Sequence, residues 1–167
     1  LRRKIKAVGD KIVLKPIDDG SSIGLTVNPP KGQWESVITA SLRTFNALMV
    51  EEYIEGREFT VGVFADQALP VVEIRAKNGL FSYEAKYLDK TTEEICPAPL
   101  KHSVTRQAQG LALKAHRALG CRSYSRTDLI LHPKRGFILL ETNTLPGLTS
   151  ASLIPKELRV ARISFAT

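Results

Sequence analysis

The sequence predicts an α+β fold. β-rich runs follow one another through short turns that favour antiparallel pairing, and two stretches show helical periodicity. Lys11 to Lys15 reads as a short buried strand, Pro16 to Ser22 as a glycine-containing loop, and Ile23 to Val27 as a second strand joined to the first. Trp34, Val37, Ile38, Leu42 and Phe45 recur at helical spacing, so Gln33 to Phe45 is expected to be an amphipathic helix. The runs Ala47 to Tyr53, Arg57 to Ala65 and Leu69 to Arg75 are β-rich and separated by Ile54-Glu55-Gly56 and Asp66-Gln67, which makes their sheet mostly antiparallel. Lys77 to Leu100, with Asn78-Gly79, Pro97 and Pro99, has little periodicity and reads as a long loop, a length that is uncommon unless functional or mobile. Ser103 is the expected N-cap of a helix carrying Val104, Ala108, Leu111, Ala112, Ala115 and Leu119, and Gly120 ends it.

The chemistry concentrates in the next segment. Tyr124 to His132 and Phe137 to Asn143 form a hairpin in which a four-residue loop sets Asp128 opposite Glu141 and Arg126 opposite Asn143. Those side chains share one face, and Leu129, Leu131, Ile138 and Leu140 are expected on the other. Opposed carboxylates repel unless a cation or a shared proton intervenes. Oxygen ligands suit magnesium, which takes one or two carboxylates plus substrate phosphates. The same residues would also serve as a solvated sheet face.

Composition narrows the classes. The 167 residues are 43% hydrophobic and 25% charged, enough for one sizeable core or two small ones. A net charge of +7 suits a cleft for a nucleotide triphosphate as well as nucleic acid, but no basic stripe with interleaved aromatics appears, so nucleic acid is the weaker reading. Cys96 and Cys121 lack CxxC spacing and read as small buried hydrophobes in a reducing compartment. His102, His116 and His132 have no acidic partner at useful spacing and read as surface groups. No signal peptide and no membrane-spanning apolar run is present, so a soluble cytoplasmic protein without membrane contact is expected.

The motifs together resemble the ATP-grasp superfamily and, within it, the D-alanine–D-alanine ligases of bacterial cell-wall synthesis. Carrying the resemblance are Leu14-Lys15-Pro16 with Gly20-Ser21-Ser22-Ile23-Gly24, Val50-Glu51-Glu52-Tyr53-Ile54 with Glu58-Phe59-Thr60-Val61, and Glu84-Ala85-Lys86-Tyr87. To these add Arg126/Asp128 and the run from Glu141 through Pro146-Gly147 to Ser152-Leu153-Ile154-Pro155. The resemblance implies an ATP-grasp fold in two subdomains, about 1–80 with the phosphate loop and hinge and about 81–167 with the closing loop and metal hairpin. It also implies a homodimeric full-length protein.

Residue roles follow from the resemblance. It assigns Lys15 to the ATP phosphates and Ser21 to the loop lidding the acceptor site. Glu51, Glu52, Tyr53 and Ile54 belong to the hinge that reads adenine; Glu52 stands where many relatives have lysine. Glu58 is placed on the ribose hydroxyls, and Phe81 and Leu140 against the nucleotide. Lys86 supports phosphate transfer, and Tyr87 contributes to the dipeptide-forming site. The implied ions are two of magnesium or manganese, held by Asp128, Glu141 and Asn143. Arg126 and the Gly147 N–H would stabilise the oxyanion, with Ser152 and Leu153 at the acceptor carboxylate.

The implied reaction is attack of a first D-alanine carboxylate on the γ-phosphate of ATP, then attack of a second D-alanine amine on the acyl phosphate. Two other readings stand beside it: another ATP-grasp ligase, including one forming D-alanyl-D-lactate, and a nucleotide-binding remnant without catalysis. Relatives carry an N-terminal domain for the first D-alanine, so this chain is expected to be roughly the nucleotide- and metal-binding half and inactive alone.

Overall fold

The structure is a computed structural model that describes residues 5–19, 22–75 and 92–164. It divides into two compact units, one ending at Ile54 and the other comprising Glu55–Arg75 and the chain from Glu93. The segment Glu55–Arg75 thus joins the second unit, although a boundary near residue 80 was expected, because its long strand lies inside the second unit's sheet. The ranges that hold Ser21, Phe81, Lys86 and Tyr87 lie outside the described residues.

In the first unit, β1 (Ile12–Pro16) is the middle strand of an antiparallel sheet, between β2 (Thr26–Val27) and β3 (Leu48–Glu52). Ile12 and Leu14, spaced two apart, point into a core completed by Ile5 and by Trp34 and Ile38 of α1 (Trp34–Ser41). The Trp34 indole N–H donates to the Pro29 carbonyl at 3.0 Å, which satisfies its polar atom inside that core. The helix stops short of Phe45: Arg43 and Thr44 donate to Ala40 and Ser41, a tightened i to i−3 exit that leaves Leu42 exposed.

In the second unit, a six-stranded sheet runs β7 (Glu93–Ile95), β6 (Val72–Arg75), β4 (Arg57–Phe64), β8 (Tyr124–His132), β9 (Gly136–Asn143), with β5 (Gln67–Ala68) also paired to β4. All its pairings are antiparallel, as the β-rich runs predict. β7 falls in the stretch expected to be loop, where Glu93, Glu94 and Ile95 align with Arg75, Ile74 and Glu73.

One face of this sheet packs α2 (His102–Ala118) against Phe59, Val61, Val63, Val71 and Leu129 through Ala108 and Ala112, whose small side chains let the helix approach closely. The N-cap is Lys101 and makes no side-chain cap hydrogen bond, so Ser103 lies inside the helix. The end is as expected: Gly120 adopts φ 65°, and Gly120 and Cys121 N–H donate to Arg117 and His116 carbonyls in a Schellman arrangement. His116 is a correction. It is 1% exposed and its Nδ1 lies 2.8 Å from Ser125 Oγ, because the buried stripe runs 108, 112, 116 and carries the imidazole onto β8 while Leu119 is exposed.

Glu73 is also buried on the sheet, where Arg57 Nε and Arg75 Nη2 donate to its two oxygens at 2.7 and 2.8 Å. Cys96 and Cys121 are half-buried free thiols. A short helix that the sequence analysis does not anticipate, α3 (Leu153–Val160), buries Leu153, Ile154, Pro155, Glu157 and Leu158.

Candidate functional site

The hairpin β8–β9 carries the site. Arg126 pairs with Asn143 and Asp128 with Glu141, the register expected. The route to that register differs. His132 pairs with Gly136, which adopts φ 75°, so the loop is Pro133-Lys134-Arg135, closed by Lys134 and Arg135 N–H donating to His132 Nδ1. A register shift between Asp128 and Leu129 then makes Leu140 an extra residue, since Leu129 pairs with Leu139 while Asp128 pairs with Glu141.

The bulge changes which residues share a face. Phe137, opposite Leu131, reaches the core under α2, where it meets Phe59 edge-on at 5.8 Å. Ile138, expected in that core, pairs with Ile130 and so shares the face of Asp128. Alternation from Ile138 brings Leu140 onto the same face, and both Leu139 and Leu140 are exposed rather than buried. The side chains of Thr127 and Thr142 meet on the core side, Oγ1 to Oγ1 at 3.0 Å.

On the polar face the intervening cation is Arg126. Its Nε donates to Asp128 Oδ1 and its Nη2 to Asp128 Oδ2, both at 2.9 Å. Thr60, opposite Asp128 on β4, donates its hydroxyl to Oδ1 at 2.5 Å. Burial works against the charge of Arg126, but the Asp128 carboxylate, with Glu141 and Glu157 adding, outweighs it and holds the guanidinium more firmly protonated than usual. Glu141 is exposed beside this pair. The Asn143 Oδ1 accepts the Leu145 N–H at 2.9 Å, which turns the chain out of β9.

Among the described residues no three His, Cys, Asp or Glu side chains gather as a metal site. The candidate set is smaller: two carboxylates and an amide on one face of one hairpin. As hard oxygen donors they fit magnesium or manganese, with further positions left to phosphate or water. Asp128 is engaged by Arg126, so a cation there competes with a guanidinium already in place.

Glu157 of α3 belongs to the same face and is not among the residues expected there from the sequence. Gly62 pairs with Arg126, and its N–H donates to Glu157 Oε1 at 2.7 Å. The absence of a side chain at Gly62 admits this contact, since a Cβ would stand 2.6 Å from Glu157 Oε2 and from Ile154 Cδ1. Oε2 is buried without a hydrogen-bond partner among the described residues. Burial pushes the Glu157 carboxyl up to about 8; the Gly62 N–H and Arg126 pull it down, while Asp128 adds to the rise. The signal was an acidic residue inside the apolar stripe 153, 154, 157, 158.

Past β9, a Cβ on Gly147 would lie 2.9 Å from Ser152 Oγ, so two of the expected acceptor-site residues adjoin. Ser152 Oγ lies 2.9 Å from Thr149 Oγ1, whereas Leu153 is 8% exposed and packs as part of α3. Glu58 pairs with Ile130 and therefore projects from the same face as Asp128. In the first unit, Lys15 Nζ and Glu51 Oε2 form an ion pair at 2.7 Å, while Glu52, Tyr53 and Ile54 lead out of β3. The Lys11 ammonium lies 5.8 Å from the Tyr53 ring centroid.

The chain is similar to known proteins along nearly its whole length. The family described as D-ala D-ala ligase C-terminus matches residues 2–167. A D-alanine–D-alanine ligase of Sphingopyxis alaskensis is 40% identical over 161 residues, covering 92% of this chain and 52% of that protein. One from Syntrophobacter fumaroxidans is 42% identical over 164 residues, covering 95% and 52%. The VanG D-Ala:D-Ser ligase of Enterococcus faecalis superposes with TM-score 0.84 at 30% identity, over 98% of this chain and 49% of that one. The D-alanine–D-alanine ligase of Bacillus anthracis complexed with ATP gives TM-score 0.80 at 26% identity, over 98% and 51%. The chain spans about half the length of the curated relatives it matches. With an α+β fold of the ATP-grasp type and the family's match running from residue 2 to residue 167, the chain belongs to the D-alanine–D-alanine ligase C-terminal family.

Proposed function

We propose that this chain supplies the nucleotide- and cation-binding part of an ATP-dependent ligase that joins two D-alanine molecules through an acyl phosphate. The observation that supports it most is the in-register polar face of Arg126, Asp128, Glu141 and Asn143 in a chain of this family. Asp128, Glu141 and Asn143 would hold magnesium or manganese, which when bound neutralises phosphate charge that otherwise repels a carboxylate nucleophile. Lys15 would meet the phosphates, Glu51 to Ile54 the adenine, Glu58 the ribose and Leu140 the nucleotide's apolar side. Phe81, Lys86 and Tyr87, carried by resemblance alone, would pack the purine, support the phosphate and shape the dipeptide site, with Ser21 in the lid.

In the second unit the chain's own groups divide the work. Arg126 carries a fixed positive charge where an oxyanion would form, and the Gly147 N–H with Ser152 would meet the acceptor. D-serine is the competing acceptor, since a D-Ala:D-Ser ligase is among the similar structures. The test is a hybrid in which the remaining half of the Sphingopyxis alaskensis ligase precedes this chain. We expect phosphate release that depends on D-alanine and yields mainly the D-alanine dipeptide when D-serine and D-lactate compete. A folded hybrid that binds ATP yet releases no phosphate with D-alanine would overturn the reading.

A further inference from the structure

Asp128 faces two demands, since Arg126 occupies both its oxygens and the proposed cation needs at least one. With Thr60 also donating to it, Oδ1 has both lone-pair positions engaged. A divalent cation brought to the same carboxylate meets a guanidinium of like sign, held on a partly buried face where screening is weak. Asp128 Oδ2 keeps one lone pair for a cation, but the two like charges would then share one carboxylate, and a second acceptor for the arginine relieves that repulsion.

Glu157 is placed to be that acceptor. A buried carboxyl oxygen without a partner is costly and calls for an explanation. Glu157 Oε2 is such an atom, and Oε1 is pinned by the N–H of Gly62, the residue directly across from Arg126. The Glu157 side chain is fully buried on α3, as Leu153, Ile154 and Leu158 are, so water does not relieve it. Arg126 interacts electrostatically with Glu157, and its guanidinium donors not spent on Asp128 are available to this oxygen.

We propose that Glu157 is a positioning residue: it receives the Arg126 guanidinium when a divalent cation takes Asp128, so that arginine and metal act side by side. This rests on the assignment of Asp128 to the metal.

The experiment titrates the 167-residue chain with Mn2+ alone and compares wild type, Asp128→Asn and Glu157→Gln. Glutamine keeps an oxygen for the Gly62 N–H and replaces the acceptor Oε2 by an amide nitrogen that only donates, so it cannot receive the guanidinium. We expect Glu157→Gln to bind Mn2+ roughly tenfold more weakly, a loss of about 1.4 kcal/mol, with no fall in melting temperature. Asp128→Asn should bind more weakly still. Loss of binding in Asp128→Asn with unchanged affinity in Glu157→Gln would overturn the role of Glu157 alone; unchanged affinity in Asp128→Asn, or no binding by wild type, would overturn the metal assignment and this inference together. A measurement needing no Glu157 variant follows the Arg126 Nε–H signal in 15N-arginine-labelled protein, assigned by Arg126→Lys. On adding Mg2+ it should shift and stay protected from solvent exchange. Its loss to rapid exchange would mean that no second carboxylate receives it.

Discussion

Arg126 grips Asp128 two residues along its own strand, with Nε on one carboxylate oxygen and Nη2 on the other at 2.9 Å each. Period-two alternation makes this bidentate pair possible, because residues i and i+2 of a strand stand on the same face. It also answers the repulsion between Asp128 and Glu141 before any ligand arrives. With both side chains at a fifth exposure or less, the pair should be partly structural. Arg126→Ala is expected to cost about 1–3 kcal/mol in urea unfolding through the unpaired carboxylate. A variant as stable as wild type would mean that water replaces the guanidinium without loss.

Glu141 tests the metal assignment with little risk to the fold, being exposed at the polar end of β9. Glu141→Ala should abolish magnesium-dependent ATP binding and leave the melting temperature within about a degree or two, as for surface changes. Calorimetry giving equal Mg-ATP affinity in both proteins would remove Glu141 from the site.

Lys15 offers a separate probe in the first unit. Its ion pair with Glu51 is partly exposed, so stability should barely register its loss. Lys15→Ala should nevertheless weaken ATP binding by roughly tenfold or more through the missing phosphate contact. Unchanged nucleotide affinity would show that the lysine serves only its glutamate.

Gly62→Ala should be among the more damaging small substitutions in the second unit. The new methyl would stand 2.6 Å from both Ile154 Cδ1 and Glu157 Oε2, the ends of two buried side chains with little room to retreat. Displacement of α3 is expected to cost about 1–3 kcal/mol, read as a lower urea midpoint. An unchanged midpoint would mean that α3 shifts without penalty.

The pH profile of stability should carry the mark of Glu157. Its folded carboxyl sits at about 8 against an ordinary 4.5, with Arg126, Asp128 and the Cys96 thiol nearby. The folded form then binds more protons than the unfolded one between those values. Stability from this group is therefore complete below about 4.5 and is lost progressively as pH rises to about 8. Glu157→Gln should flatten that slope. A wild-type slope persisting in the variant would assign it to other groups.

How much of this was legible follows from what each feature depends on. The Asp128–Glu141 and Arg126–Asn143 pairings could be read because alternation and turn chemistry are local. The bulge could not, because it balances a shortened turn against an added residue at Leu140, and the two errors cancel at the polar end. Ile138 was thereby assigned to the core that Phe137 occupies. His116 was misread for want of an acidic partner, when its partner is the hydroxyl of Ser125 on a strand. Glu157 escaped because burial of a charged residue is decided by what packs on α3, here the backbone of Gly62. Roles tied to Ser21, Phe81, Lys86 and Tyr87 depend on motif wording alone.

The extra residue at Leu140 gives β9 a change of phase partway along its length. Its first half places odd-numbered residues, Phe137 and the exposed Leu139, on the side of Leu131 and Leu129, and its second half places the even-numbered Thr142 there. Removing Leu140 would erase the bulge and leave Glu141 and Asn143 opposite Asp128 and Arg126 on the polar face, with Thr142 still on the other. Substitution at the same position keeps the count. The extra residue thus bends and twists β9 locally without deciding which face its polar residues take.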